Sequence, residues 1–186
     1  MKRNVFIFHG TEGSPQGNWL PWLKRKLKEK DCNVYVPKFP TPEGESLEAW
    51  LKVIEDYKQK INEKTILVGH SKGELFLLRL LERLKNPVHA SFLVAAPIGV
   101  KPILFYKEDA KFSDGFELDW DKIKSNSSKF TVYHSDNDPY VCLDNGKELS
   151  KKLNIKLKFI PKAGHINEES GFTEFKDLLK DIELFL

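Results

Sequence analysis

The chain has 186 residues, of which 40% are hydrophobic and 31% charged, and its formal net charge is +3 at pH 7. The length predicts a single globular domain over residues 1–186, because the chain is too short for two ordinary domains. Basic residues are interspersed with acidic ones, and the most basic stretch, residues 24–30, is typical of the solvated face of an amphipathic helix. This pattern argues against a nucleic-acid partner.

The cysteines and the apolar segments bear on the location of the protein. Cys32 and Cys142 fit neither a zinc pattern nor a disulfide framework, which favours a reducing compartment. No apolar run approaches the length of a membrane span, and the chain enters a strand-like run at Val5 with no separate signal peptide before it. We therefore expect a cytoplasmic protein with no membrane partner.

Strand-like and helix-like segments alternate along the chain. Short runs of apolar and β-branched residues predict strands at 5–8, 33–36, 65–68, 90–96, 129–134 and 156–160. Helix-forming segments predict helices at 19–30, 46–62 with Ser46 as N-cap, 74–84, within 143–152, and from about 173 to the end. Strands that alternate with helices pair in parallel through right-handed crossovers, so we predict an α/β fold with about six mostly parallel strands and helices on both faces.

The pentapeptide Gly-His-Ser-Lys-Gly at residues 69–73 stands directly between a predicted strand and a predicted helix. A serine in a sharp turn at such a junction is typical of a nucleophile elbow. An elbow requires glycine at positions 69 and 73, because the neighbouring backbone comes too close for a Cβ atom at either position. A hydroxyl is a weak nucleophile at neutral pH, so a catalytic Ser71 requires a base and a group that orients the base.

Candidates for the acid lie in the loop that follows the predicted strand at 129–134. Asp138 is the preferred acid, because Pro139 biases the Asp138 backbone toward an extended conformation and so helps to fix the direction of the carboxylate. Asp136 is the reserve candidate. Both residues can also be read as ordinary turn formers.

The candidate base is His165, in a short loop just past the last predicted strand. Gly164 allows a sharp turn there, so the loop can present the imidazole at the same edge of the sheet. Ser71, Asp138 and His165 then follow one another in the order nucleophile, acid, base. Three other histidines are poorer candidates for the base because they lie beside Ser71 in the elbow, after a helix end and at a strand end. We interpret these three as structural: His70, His89 and His134.

Hydrolysis of an acyl group also needs two backbone donors for the developing oxyanion. One is expected on the residue after the nucleophile, Lys72, and the other in the loop after the first strand. In that loop, residues 9–13, we choose the Thr11 N–H, with the Glu12 N–H as the alternative. A generic glycine-rich loop is the competing interpretation.

These motifs together resemble the small serine hydrolases of the retinoblastoma-binding-protein-9 and YdeN type, a compact branch of the α/β-hydrolases. The segments that carry the resemblance are His9–Gly10, Trp19–Leu23, residues 69–73, residues 135–139 and Gly164–His165, and they span nearly the whole chain. The resemblance implies a sheet of order 2-1-3-4-5-6 and a triad of Ser71, Asp138 and His165. It also implies a substrate site at the switch point between the first and third strands.

Lys72 departs from this family's pattern, in which an apolar residue commonly follows the serine. The backbone N–H is unaffected by the change. The ammonium, paired with Glu12, is a candidate for favouring acidic acyl groups, and the alternative is that the side chain extends to solvent.

The expected reaction is hydrolysis of a small ester, thioester or amide through an acyl-enzyme, with a carboxylesterase as the first expectation and without metal or cofactor. Residues 97–128 have weak periodicity and are a candidate for a short cap over an open pocket for short acyl groups. Their apolar side chains line that pocket or belong to the core: Ile98, Ile103, Leu104, Phe105, Phe112 and Phe116.

The alternative function is a non-catalytic or weakly catalytic protein-binding module. We expect a small-molecule acyl substrate and a monomer or small homo-oligomer.

Overall fold

The computed structural model describes residues 2–186, and Met1, the predicted start of the domain, lies outside the described residues. Its single sheet consists of β1 (Asn4–Phe8), β2 (Asn33–Tyr35), β3 (Ile66–His70), β4 (Ala90–Val94), β5 (Phe130–His134) and β6 (Lys158–Phe159). All neighbouring strands pair in parallel, in the order β2-β1-β3-β4-β5-β6. The predicted fold class and strand order are confirmed.

The helices that connect these strands are α1 (Leu20–Glu29), α2 (Leu47–Glu55), α3 (Lys72–Leu81), α4 (Tyr106–Phe112), α5 (Trp120–Ser125), α6 (Leu143–Lys152) and α7 (Lys176–Glu183). Five of them agree with the predicted ones except at their ends, and the other two, α4 and α5, lie in the weakly periodic segment 97–128, where no helix is predicted. The Ser46 hydroxyl accepts a hydrogen bond from the Ala49 N–H at 3.1 Å, so Ser46 is the N-cap of α2. The predicted continuation of α2 to residue 62 is wrong, because the chain tightens into a 3₁₀ turn at Lys58–Lys60.

Both faces of the sheet are covered by helices, and this explains the strongly apolar strands. Successive strand side chains point to opposite faces, so Phe6 and Phe8 pack with α2 and α3, whereas Val5 and Ile7 pack with α1 and α7. The carboxyl ends of the parallel strands lie along one edge of the sheet. In such folds the loops at that edge form the binding site.

Residues 97–128 hold α4, the 3₁₀ turn Asp114–Phe116 and α5. The apolar side chains of this segment divide between two environments. Ile98, Phe112 and Phe116 belong to or pack against the core beside α2 and α3, whereas Ile103 and Phe105 line a cavity and Leu104 is exposed. The segment therefore contributes both to the core and to the cavity wall, and its function as a cap stays a prediction.

Along residues 2–186, none of the helices combines the length and the apolar character that crossing a lipid bilayer requires.

Candidate active site

Ser71 occupies a strained turn between β3 and α3. Its backbone has φ of +56° and ψ of −128°, and its N–H donates to the Val94 carbonyl at 2.8 Å. A Cβ atom on residue 69 would lie 2.5 Å from the Glu74 Cα, and one on residue 73 would lie 2.3 Å from the Phe8 carbonyl oxygen. Both flanking positions therefore require glycine, as the sequence predicts for an elbow.

Asp138 and His165 form a hydrogen-bonded pair. The His165 Nδ1 lies 2.7 Å from the Asp138 Oδ2, and the other carboxylate oxygen accepts the Tyr140 N–H at 2.8 Å and the Val141 N–H at 3.0 Å. Burial opposes the negative charge on Asp138, but the hydrogen bonds from His165 and the two backbone groups outweigh it and lower the pKa of the carboxyl. The carboxylate therefore stays ionised and holds the imidazole through Nδ1, which leaves Nε2 as the basic nitrogen of the neutral ring.

Ser71 and His165, the predicted nucleophile and base, both line one cavity of about 470 Å³. His70, the neighbour of Ser71, contacts the histidine directly: the two ring centroids are 4.9 Å apart, and the His70 Nε2 lies 2.9 Å from the His165 carbonyl oxygen. Burial, with repulsion from His165, lowers the pKa of His70 to about 3, so this ring is neutral and donates from Nε2 to that carbonyl. His70 thus has the structural role expected from its position.

The acid loop, residues 135–138, holds the backbone of the histidine loop, residues 162–165. Three consecutive side chains of the acid loop each accept one N–H from the histidine loop. The pairs are Ser135 Oγ with Ala163 at 2.9 Å, Asp136 Oδ1 with Lys162 at 2.8 Å, and Asn137 Oδ1 with Gly164 at 2.7 Å. The reserve acid Asp136 is therefore engaged with backbone, and Asp138 contacts the imidazole. The roles of Ser135 and Asn137 were missed from the sequence, although short polar side chains often bind loop backbone.

The loop predicted to carry an oxyanion donor, of which residues 10–13 are called the oxyanion loop, lies directly against the elbow. A Cβ atom on Gly10 would lie 2.8 Å from the Ser71 Cβ, and Thr11 lines the same cavity as Ser71. The alternative donor, the Glu12 N–H, is occupied, because it donates to the Thr41 hydroxyl oxygen at 2.9 Å.

His9 fixes the orientation of the peptide that carries the Thr11 N–H. The His9 Nε2 accepts the Phe39 N–H at 3.1 Å, so the ring proton is on Nδ1, which donates to the Gly10 carbonyl at 3.0 Å. Burial lowers the pKa of His9 and keeps the ring in this neutral form. The Gly10 carbonyl and the Thr11 N–H belong to one trans peptide and point in opposite directions. Holding the carbonyl therefore directs the N–H, a role that the sequence motif alone does not show.

His134 is a fully buried neighbour of the acid. Its Nε2 lies 3.0 Å from the Val141 carbonyl oxygen and 3.9 Å from the Asp138 Oδ2, and burial lowers its pKa. These contacts suit the structural role expected from the sequence.

The Lys72 ammonium is buried and paired with two carboxylates. Only 1% of the side chain is exposed, and the Nζ contacts the Glu45 Oε1 and lies 3.3 Å from the Asp109 Oδ1. The predicted pairing with Glu12 is therefore wrong, and so is the alternative that the side chain extends to solvent. The reason is tertiary: α4 and the loop before α2 bring their carboxylates over the start of α3, and a buried ammonium requires such partners.

The charged side chains that line the cavity are all acidic: Glu12, Asp109, Glu168 and Glu169. The Lys72 charge is compensated by Glu45 and Asp109, so it does not attract an anion into the cavity. The acidic wall repels negatively charged acyl groups, which is the opposite of the expected preference. Among residues 2–186, no group of three His, Cys, Asp or Glu side chains is arranged to hold a metal ion.

Residues 5–183 match the family model described as Serine hydrolase. The chain belongs to this family. It is 29% identical to the YdeN protein of Bacillus subtilis (strain 168) over 173 residues, 93% of this chain and 90% of that protein. It is also 26% identical to the serine hydrolase RBBP9 of Rattus norvegicus over 169 residues, 90% of this chain and 86% of that protein.

Solved structures agree with this family membership. The crystal structure of the B. subtilis ydeN gene product superposes with a TM-score of 0.87 at 27% identity, covering 100% of this chain and 98% of that one. Est1E from Butyrivibrio proteoclasticus, solved with ferulic acid, superposes with a TM-score of 0.73 at 15% identity over 98% of this chain and 88% of that one, and so shares the α/β-hydrolase fold. The predicted resemblance to small serine hydrolases is confirmed.

In this serine hydrolase, asparagine substitutions separate the two acids of the acid loop. Asp138→Asn should lower kcat for hydrolysis of an aryl ester by a factor on the order of 10⁴, because an amide N–H facing Nδ1 forces the proton of His165 onto Nε2. Asp136→Asn keeps the oxygen that accepts the Lys162 N–H and should change kcat less than about threefold. Steady-state kinetics at matched folded fraction checks both variants, and a larger loss in Asp136→Asn would contradict the assignment.

Proposed function

We propose that the protein is a carboxylesterase-like serine hydrolase that cleaves small esters, and thioesters or amides of similar size, through an acyl-enzyme. Ser71 is the nucleophile, His165 the general base and Asp138 the acid that orients it. The observation that supports this most directly is the 2.7 Å hydrogen bond between Asp138 and His165, at the wall of the cavity that Ser71 also lines. A buried, ionised acid on the far nitrogen of a histidine is the arrangement that activates a serine.

In the proposed reaction, the Ser71 hydroxyl attacks the carbonyl carbon of the substrate while the His165 Nε2 takes the hydroxyl proton. The Asp138 carboxylate stabilises the imidazolium that results. When the tetrahedral intermediate collapses, the bond to the leaving group breaks and His165 returns the proton to that group. Water then attacks the acyl-enzyme by the same steps, which releases the carboxylic acid and restores the hydroxyl of Ser71.

The proposed oxyanion hole consists of the backbone N–H groups of Thr11 and Lys72. Its support is the closeness of Gly10 to the nucleophile: a Cβ atom on Gly10 would lie 3.2 Å from the Ser71 Oγ, so the oxyanion loop lies beside the reacting oxygen. The hydrogen bond from His9 to the Gly10 carbonyl directs the Thr11 N–H before the substrate binds. Donors that are oriented in advance stabilise the oxyanion without reorganisation, and this is the largest contribution to many acyl-transfer reactions.

The cavity supports a small, uncharged or cationic substrate. Its volume of about 470 Å³ suits a short acyl chain with an aryl or alkyl leaving group. The apolar part of the wall comes from Ile103, Phe105 and Val141, and the charged part is acidic. The proposed steps use protein groups alone, and the cytoplasmic location and the oligomeric state stay predictions.

Replacing Ser71 tests the central step. Ser71→Ala should lower kcat for a short-chain aryl ester by a factor of roughly 10³ or more, because the nucleophile of the acyl-enzyme is lost. Ser14→Ala, at another serine on the same cavity wall, is the control and should stay within about threefold of the parent. A fluorophosphonate should label Ser71 in the unmodified protein. Full turnover by Ser71→Ala would rule out Ser71 as the nucleophile, whereas no turnover and no labelling of the unmodified protein would favour the binding-module alternative.

The charge of the cavity wall predicts a substrate preference. At low ionic strength a neutral ester should be hydrolysed with a kcat/KM about 3–10 times that of an ester of equal length ending in a carboxylate, because the acidic wall repels the anion. Glu168→Gln should reduce this ratio, whereas Glu29→Gln on α1 should leave it unchanged. Equal or faster hydrolysis of the anionic ester would contradict this interpretation.

A further inference from the structure

A chain of polar contacts runs from the oxyanion loop to α4 through groups outside the proposed triad. The Glu12 N–H donates to the Thr41 Oγ1 at 2.9 Å, and the Thr41 hydroxyl donates to the Glu45 Oε2 at 2.6 Å. The other oxygen of Glu45 contacts the Lys72 Nζ, which also lies 3.3 Å from the Asp109 Oδ1. We call these five residues the Lys72 relay.

The charged centre of the relay is held in a fixed place. The side chains of Lys72, Asp109 and Glu45 are only 1%, 6% and 13% exposed, and the ammonium lies 5.5 Å from the centre of the Phe112 ring. Buried ion pairs contribute little net stability compared with apolar packing, but removing one partner leaves a charge without compensation. Such a cluster therefore keeps its members at defined positions, and through them it connects four segments: the oxyanion loop, the loop before α2, the elbow and α4.

The relay acts on the peptide next to the proposed oxyanion donor. Thr11 lies between two peptide groups, and the one before it is fixed at the Gly10 carbonyl by His9 and by the Gly13 N–H. The peptide after it is fixed at the Glu12 N–H by the Thr41 hydroxyl. With both neighbouring peptides held, Thr11 has little freedom to turn its own N–H away from the cavity.

We propose that the Lys72 relay is a positioning device for the oxyanion hole, in which the Lys72 side chain, acting through Glu45 and Thr41, holds the oxyanion loop beside Ser71. Lys72 then has two separate roles, a backbone donor to the oxyanion and a side chain that positions the opposite donor. This inference rests on the proposed hydrolase function. The same ammonium binds Asp109 of α4, so the part of the cavity wall formed by Ile103, Phe105 and Asp109 is linked to the oxyanion loop through the Lys72 charge.

Substitutions at Thr41 test the relay without touching the proposed triad or the backbone donors. Thr41→Val has nearly the same shape but lacks the hydroxyl, whereas Thr41→Ser keeps the hydroxyl. Thr41→Val should lower kcat for a short-chain aryl ester by about 10–100-fold, part of the loss expected for removing one oxyanion donor, and should change KM less than about twofold. Thr41→Ser should restore kcat to within about threefold of the parent.

An alkyl boronic acid provides a readout that a purely structural effect would not move. Its tetrahedral adduct with Ser71 places an oxygen at the oxyanion position, so Thr41→Val should weaken its binding by the same factor as it lowers kcat. Unchanged kcat and boronate affinity in Thr41→Val, or equal losses in Thr41→Val and Thr41→Ser, would overturn the proposal.

Hydrogen exchange at the Glu12 amide tests the relay independently of catalysis. Exchange should accelerate about tenfold or more in Thr41→Val and also in Lys72→Met, which frees Glu45, but not in Thr41→Ser. Unchanged exchange in Lys72→Met would overturn the link between the ammonium and the loop. If the unmodified protein neither turns over esters nor reacts with a fluorophosphonate, the proposed function fails, whereas the exchange result still decides whether the relay holds the loop.

Discussion

The close contact between the start of α3 and the end of β1 is the constraint on which the site depends. Gly73 packs so tightly on this strand that a Cβ atom would lie 2.3 Å from the Phe8 carbonyl oxygen. Because β1 and β3 are neighbours in the sheet, this contact sets the elbow and the oxyanion loop side by side. Ser71 and Gly10 are then so close that a Cβ atom on Gly10 would lie 2.8 Å from the Ser71 Cβ. The positive φ of Ser71 is the conformational cost of this arrangement.

Asp138 and His165, the proposed acid and base, lie on the loops after β5 and β6, and hydrogen bonds hold them there. His165 is held at its ring by Asp138, at its carbonyl by His70, and along its loop by residues 135–137. Each of these bonds joins the ends of different strands. The distance and orientation between Asp138 and His165 therefore depend on several strand ends at this edge of the sheet, not on one loop alone.

The sequence predicts the parts of this structure that are encoded locally. The elbow follows from glycines at 69 and 73 between a strand and a helix, and the alternation of elements gives the α/β class. The strand order came from the family resemblance, because pairing between distant strands leaves little local signal. The partners of Lys72 were not predictable, since Glu45 reaches it from the loop before α2 and Asp109 from α4, and the meeting of these two segments depends on the whole fold. The end of α2 was missed for a similar reason, because helical propensity continues past the point where the chain turns.

The bonds between the acid loop and the histidine loop have a consequence for motion. A fluctuation that lifts either loop from the sheet edge must break side-chain-to-backbone bonds with the other, so the two loops open and close as one cooperative unit. We therefore expect the His165 imidazole and the Asp138 carboxylate to move together and to keep their hydrogen bond when the loops move. In the proposed reaction, substrate can then enter and product can leave through movement of the cavity rim while the Asp138–His165 hydrogen bond stays intact.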